Sequence, residues 1–130
     1  MKKSKSGDSI PVIAVVDDDK SVRESLAEFM ESVGYEVALF SSAEEFLGSS
    51  CDDLRCMILD VRLPGMSGLE LFSQLNVSRR SLPTIFITAH ADAAVAGCAT
   101  KPDVVSVLYK PFQPAALLKA VRSALTRSRL

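Results

Sequence analysis

Tryptophan is absent from this sequence, histidine occurs once, as His90, and the cysteines number three, Cys51, Cys56 and Cys98. One histidine and cysteines without ligand spacing leave no nitrogen and sulfur donor set for a zinc or iron centre. An odd cysteine count also argues against a disulfide scaffold and for a reducing compartment, so a cytoplasmic location is expected. Charge of one sign is lacking too. Fifteen basic residues stand against sixteen acidic ones, a formal net charge of −1, so no global field draws the chain to nucleic acid or to an anionic membrane. The N-terminal lysines have no interleaved aromatics, and no direct nucleic-acid binding is expected. No apolar run approaches the roughly 18 residues needed to span a bilayer. The run from Ile10 to Val16 after Lys2, Lys3 and Lys5 is cut short by Asp17, Asp18 and Asp19, which no export signal tolerates.

What remains is one domain's worth of chain with a strong alternating pattern. Residues 1–9 are polar and aperiodic and are expected to be a flexible tail, with the domain running from 10 to 130. Short β-branched apolar runs then alternate with segments of helical period. The runs are Val12 to Val16, Tyr35 to Phe40, Cys56 to Leu59, Thr84 to Thr88 and Val104 to Tyr109. Continuous rather than alternating apolar runs mark strands buried on both faces. Between them, Val22, Leu26, Phe29, Met30 and Val33 share a helix face, with Ser21 and Glu24 as a capping box and Gly34 as the left-handed stop. Ala43, Phe46 and Leu47 mark a short second helix, Leu69, Phe72 and Leu75 a third, an alanine-rich segment capped by Asp92 a fourth, and Leu117, Leu118, Val121 and Leu125 a fifth after Pro114. This pattern predicts an α/β fold, a (βα)5 doubly wound parallel five-stranded sheet of flavodoxin-like strand order 2-1-3-4-5.

Ligands of such sheets bind beyond the carboxyl ends of the strands. Four of the five runs deliver a polar residue there: Asp17 and Asp18, Asp60, Thr88 and Lys110. Three carboxylates about 5 Å apart repel by roughly 3 kcal/mol per pair at an effective dielectric near 20, so a cation is needed to keep them ionised. All-oxygen ligation with positions left for water and phosphate suits Mg2+. Asp60 is then placed to act as a nucleophile toward phosphorus, with the Thr88 hydroxyl and the Lys110 ammonium, the latter expected to be unpaired, stabilising the transferred group.

At these residues the chain resembles the receiver domains of bacterial two-component response regulators. The resemblance covers Val12 to about Leu125 and rests on Val15-Val16-Asp17-Asp18, Leu59-Asp60, the loop from Leu63 to Gly68, Ile87-Thr88-Ala89 and Lys110-Pro111-Phe112. The stretch from Val22 to Leu26, with Arg62 and His90, resembles the FixJ-like subfamily, whose receivers usually precede a helix-turn-helix domain. By this resemblance Asp60 is the phosphoacceptor, Asp18 a direct metal ligand, Asp17 a ligand through water and the Arg62 carbonyl a further ligand. Thr88 and Lys110 contact the phosphoryl oxygens, and the Lys110–Pro111 peptide is cis. The implied partner is a sensor histidine kinase or phosphotransfer protein, and the face of the fourth helix and fifth strand is one on which such domains can form a homodimer. The implied function is a phosphorylation-dependent signalling switch, which catalyses its own phosphotransfer and slow dephosphorylation without being a turnover enzyme.

Other readings compete. Asp17 and Asp18 alone would pass for helix-capping residues, and for Asp19 capping is the better account. His90 reads as a solvent-facing loop residue rather than a base or ligand. A phosphohydrolase of the haloacid-dehalogenase type needs a second aspartate two positions after the nucleophile, where Arg62 stands. A phosphorylation-independent interaction module on the same fold is the remaining alternative, and the intact Asp17, Asp18, Asp60, Thr88 and Lys110 weigh against it. Two departures keep it open: Pro102 and Asp103 stand in place of the usual small pair before the fifth strand, and Val107 in place of an aromatic residue three positions before the lysine.

Overall fold

The structure is a computed structural model and describes residues 10–49, 53–91 and 93–128. The expected 1–9 tail, Cys51, the Asp92 cap and Arg129 lie outside these residues. Strands β1 (Val12–Val16), β2 (Glu36–Phe40), β3 (Leu54–Asp60), β4 (Thr84–Thr88) and β5 (Val104–Tyr109) alternate with helices α1 (Lys20–Ser32), α2 (Ala43–Leu47), α3 (Gly68–Val77), α4 (Ala93–Cys98) and α5 (Pro114–Ser128). All pairings are parallel and the order is β2-β1-β3-β4-β5, as the alternation predicts.

Period-2 alternation within the continuous apolar runs divides the core in two. Ile13, Val15, Ile58, Ile85 and Ile87 point to the layer with Leu26 and Met30 of α1 and Leu117 and Val121 of α5. Ala14, Val16, Met57, Leu59 and Phe86 point to the layer with Phe46 of α2, Leu71, Phe72 and Leu75 of α3 and Val95 of α4. Phe72 meets Phe86 edge-on with ring centroids 5.4 Å apart, and Phe40 meets Phe46 in the same way at 5.1 Å. Such pairs add about 0.5–1.5 kcal/mol beyond the area they bury. The second pair seats α2 on the end of β2.

Helix boundaries are decided by caps. Gly34 ends α1 at φ +100°, the left-handed stop expected of it. The start of α1 is a correction: the N-cap is Asp19, whose carboxylate accepts from the backbone N–H groups of Ser21 and Val22, and the Ser21 hydroxyl donates to that same carboxylate. An aspartate two residues nearer the strand takes the role assigned to Ser21 and Glu24. A capping box does form at α3, where the Ser67 hydroxyl accepts from Glu70 N and the Glu70 carboxylate accepts from Ser67 N. Strand β3 is longer than the apolar run alone suggests, because Leu54 and Arg55 at its start and Asp60 at its end continue the ladder.

Among the described residues no helix is long and apolar enough to cross a membrane. Cys56 and Cys98 are buried free thiols. Burial pushes the Cys56 thiol up to about 12, which keeps it protonated and inert.

Candidate acidic site at the strand ends

Strands β1 and β3 lie side by side, with Val16 opposite Leu59. The residues that follow therefore emerge together: carboxylate oxygens of Asp17, Asp18 and Asp60 all lie within 4.8 Å of one another. Asp17 is fully buried and Asp60 is 6% exposed, whereas Asp18 faces solvent. Lys110 arrives from the end of β5, two strands from Asp60, and its Nζ stands 3.3 Å from Asp17 Oδ2 and 3.4 Å from Asp60 Oδ2. The lysine is thus paired in this state, contrary to the expectation of a free ammonium. The two buried carboxylates draw it in. Burial alone would lower the Lys110 pKa, but Asp60 and Asp17 together hold it above the ordinary lysine value.

Backbone donors fix the other oxygens. Asp17 Oδ1 accepts from Asp19 N at 2.9 Å, and Asp60 Oδ1 accepts from Arg62 N at 3.1 Å. Burial and the neighbouring Asp17 charge raise the Asp60 pKa to about 6, against the opposing pull of Lys110 and the Arg62 N–H. An acid held that high is a site whose anionic form is short of positive charge. The donor set itself fits a cation: three carboxylates converge, with oxygens all within 4.8 Å of one another. The residues present fit a hard divalent ion.

Thr88 is fully buried at the end of β4, next to Asp60 in the sheet, where Asp60 pairs with Ile87. Its hydroxyl closes on its own loop, donating to His90 O at 3.1 Å and accepting from His90 N at 3.2 Å. His90 is exposed, as expected, and it is its backbone that bonds Thr88. Lys110 N donates to Thr88 O at 2.8 Å, which ties the two strand ends together, and the Lys110–Pro111 peptide is cis.

The site also uses residues that the pattern alone does not single out. Gly68 opens α3 so close to β3 that a Cβ there would overlap the Asp60 carbonyl oxygen, and its N–H donates to Val61 O at 2.9 Å. Arg23 of α1 donates to Asp17 O at 2.8 Å, and the Glu44 carboxylate of α2 accepts from Met66 N at 2.9 Å. Gly68 and Arg23 fall inside the motif segments Leu63 to Gly68 and Val22 to Leu26, but neither they nor Glu44 are given a role by the sequence pattern.

The response regulator receiver domain profile matches residues 13–122. Transcriptional regulatory protein FixJ of Azorhizobium caulinodans is 44% identical over 122 residues, 93% of this chain and 57% of that protein. Nodulation protein W of Bradyrhizobium diazoefficiens is 44% identical over 119 residues, 91% of this chain and 52% of that protein. The chain therefore spans about half the length of the curated relatives it matches. Among solved structures, response regulator StyR superposes with a TM-score of 0.86 at 41% identity, covering 93% of this chain and 62% of that one. A receiver domain from Methanospirillum hungatei superposes at 0.83 with 26% identity, covering 93% and 98%.

Proposed function

We propose, because this chain belongs to the response regulator receiver domain family, that it is a signalling switch in which Asp60 takes a phosphoryl group from a phosphohistidine of a sensor kinase or phosphotransfer protein. The observation that carries the reading is the placement of one nearly buried carboxylate, Asp60, beside the acidic pair that follows β1 and within 3.4 Å of the Lys110 ammonium. In the transfer an Asp60 oxygen forms the new O–P bond, the N–P bond of the donor breaks, and the imidazole leaves with its electron pair. No general base is required, since the ionised carboxylate has no proton to lose.

Asp17, Asp18, Asp60 and the Arg62 carbonyl would hold Mg2+, which when bound supplies the positive charge that the carboxylates and the incoming phosphate lack. Lys110 then exchanges its carboxylate partners for phosphoryl oxygens. Thr88 reaches the phosphoryl group by giving up its two hydrogen bonds with the His90 backbone, at a cost of about 1 kcal/mol each that the charge-assisted replacement offsets. Residues 10–130 form the receiver, working in the cytoplasm on an attached effector or a separate partner. The face of α4 and β5, where Tyr109 is 46% exposed, is the surface on which a second copy docks.

The test is acyl-phosphate formation with a small phosphodonor and Mg2+, followed by mass and by sensitivity to hydroxylamine. One phosphoryl group is expected in the wild type and none in Asp60→Asn. An unmodified wild-type protein that still binds its partner would instead establish the phosphorylation-independent module.

A further inference from the structure

Helix α2 is short, yet it is firmly seated. Ala43 is fully buried, Phe46 is 3% exposed against Phe40, and Ser42 caps the helix by accepting from Glu45 N at 3.0 Å. Its two consecutive glutamates, Glu44 and Glu45, are both engaged away from their own helix.

Glu44 reaches the loop after β3. That loop is pinned at its base by Val61 N donating to Ile87 O and by Gly68 N donating to Val61 O. Its tip is Gly65 at φ +75°, a left-handed residue, and the Glu44 carboxylate lies over it so closely that a Cβ on Gly65 would stand 2.6 Å from Oε2. From there Oε2 accepts the Met66 N–H at 2.9 Å. Arg62 lies inside this loop.

Glu45 turns back to the end of β2, where its Oε1 accepts from Ser41 N and from the Ser41 hydroxyl. Its carboxyl is held below the usual range first by these Ser41 bonds and also by the nearby charge of Arg23. The guanidinium of Arg23 donates at 2.8 Å to Asp17 O, in the loop that carries Asp17 and Asp18. Both loops that bear acidic-site residues are therefore tied to helix side chains, one through Arg23 of α1 and the other through Glu44 of α2.

We infer that Glu44 and Arg23 are positioning residues for the divalent-cation site: Glu44 sets the loop that follows Asp60, and Arg23 sets the backbone of Asp17. Neither touches the ion. The inference rests on the acidic cluster being the cation site, and it makes a prediction whose sign opposes simple electrostatics. Removing the Arg23 cation while keeping its apolar stem should tighten Mg2+ if charge alone matters. It should weaken Mg2+ if the side chain works by holding Asp17. Glu44→Gln keeps an acceptor oxygen and loses the charge, so it separates the same two effects at the second position.

The experiment is calorimetric titration of the full chain with Mg2+, paired with hydrogen exchange of the metal-free protein. Arg23→Met and Glu44→Ala are expected to weaken Mg2+ by about 10-fold, the low end for outer-shell substitutions, and Glu44→Gln to stay close to wild type. Exchange should rise at residues 17–19 in Arg23→Met and at 61–67 in Glu44→Ala, with β4 and α5 unchanged in both. Tighter or equal Mg2+ binding in Arg23→Met, a Glu44→Gln as weak as Glu44→Ala, or unchanged exchange in those loops overturns the inference. Absence of Mg2+ binding in the wild type refutes the cation site itself, and the exchange data then decide the positioning roles separately. Should Arg23→Met fail to fold, Arg23→Lys keeps a charged donor on a shorter, unforked side chain, and a wild-type exchange pattern at 17–19 is required of it.

Discussion

Replacing Asp60 with asparagine should stabilise the metal-free protein near neutral pH, although it removes the residue on which the proposed function depends. Asp60 is held at about 6 by burial and by Asp17, whereas an unfolded aspartate titrates near 3.9. The folded state therefore binds the Asp60 proton more tightly than the unfolded state does. That contribution to stability is fully present below about pH 3.9 and is lost as the pH rises through about 6. A displacement of that size, shared with Asp17 and Lys110, corresponds to a gain on the order of 1–3 kcal/mol. For a domain of this size that is a rise in Tm of about 3–10 °C. The assay is thermal unfolding of wild type and Asp60→Asn in a chelator at pH 7.5 and again at pH 4.5, then with millimolar Mg2+ at pH 7.5. Asp60→Asn should be the more stable at pH 7.5, the gap should narrow at pH 4.5, and Mg2+ should raise the wild type more than the variant by mass action. A gap that does not depend on pH, or a variant no more stable than wild type in chelator, would refute the electrostatic account of the site.

Lys110→Ala should lose stability in chelator by about 1–3 kcal/mol, because it leaves Asp17 and Asp60 buried without their shared cation, and Mg2+ should restore part of that loss. Phosphorylation should nonetheless stay impaired with Mg2+ present; a variant phosphorylated at the wild-type rate would assign the lysine to structure alone. Gly68→Ala drives a methyl group into the Asp60 carbonyl and should cost at least about 1–3 kcal/mol, measured by urea unfolding, with a neutral result showing that α3 can slide away from β3. Residues 93–103 should exchange amide hydrogens faster than α1 in the unmodified protein, since α4 buries only Val95 and Cys98, and should change protection on phosphorylation. With Val107 in place of an aromatic ring and Tyr109 left 46% exposed, that response should come from reordering of the 89–103 segment. Equal protection of α4 and α1, or no change on activation, would count against it.

The fold and the acidic cluster were legible in the sequence for one physical reason: strands of a doubly wound sheet are buried on both faces, so polar residues at the ends of the apolar runs mark the carboxyl rim of the sheet. Asp17, Asp18, Asp60, Thr88 and Lys110 announce themselves in this way, and parallel pairing of β1 with β3 then brings the three carboxylates together. Local chemistry also determined the Gly34 stop and the capping role of Asp19. Only the tertiary structure decided what crosses between elements. Lys110 bridging Asp17 and Asp60, the Glu44 carboxylate on Met66 N, the Arg23 guanidinium on Asp17 O and the lack of room for a Cβ at Gly68 each join residues of different elements. Periodicity records which face of a helix is apolar, but a long polar side chain at the edge of that face finds its partner only when a neighbouring loop is folded within reach, and that distance is a property of the packed molecule.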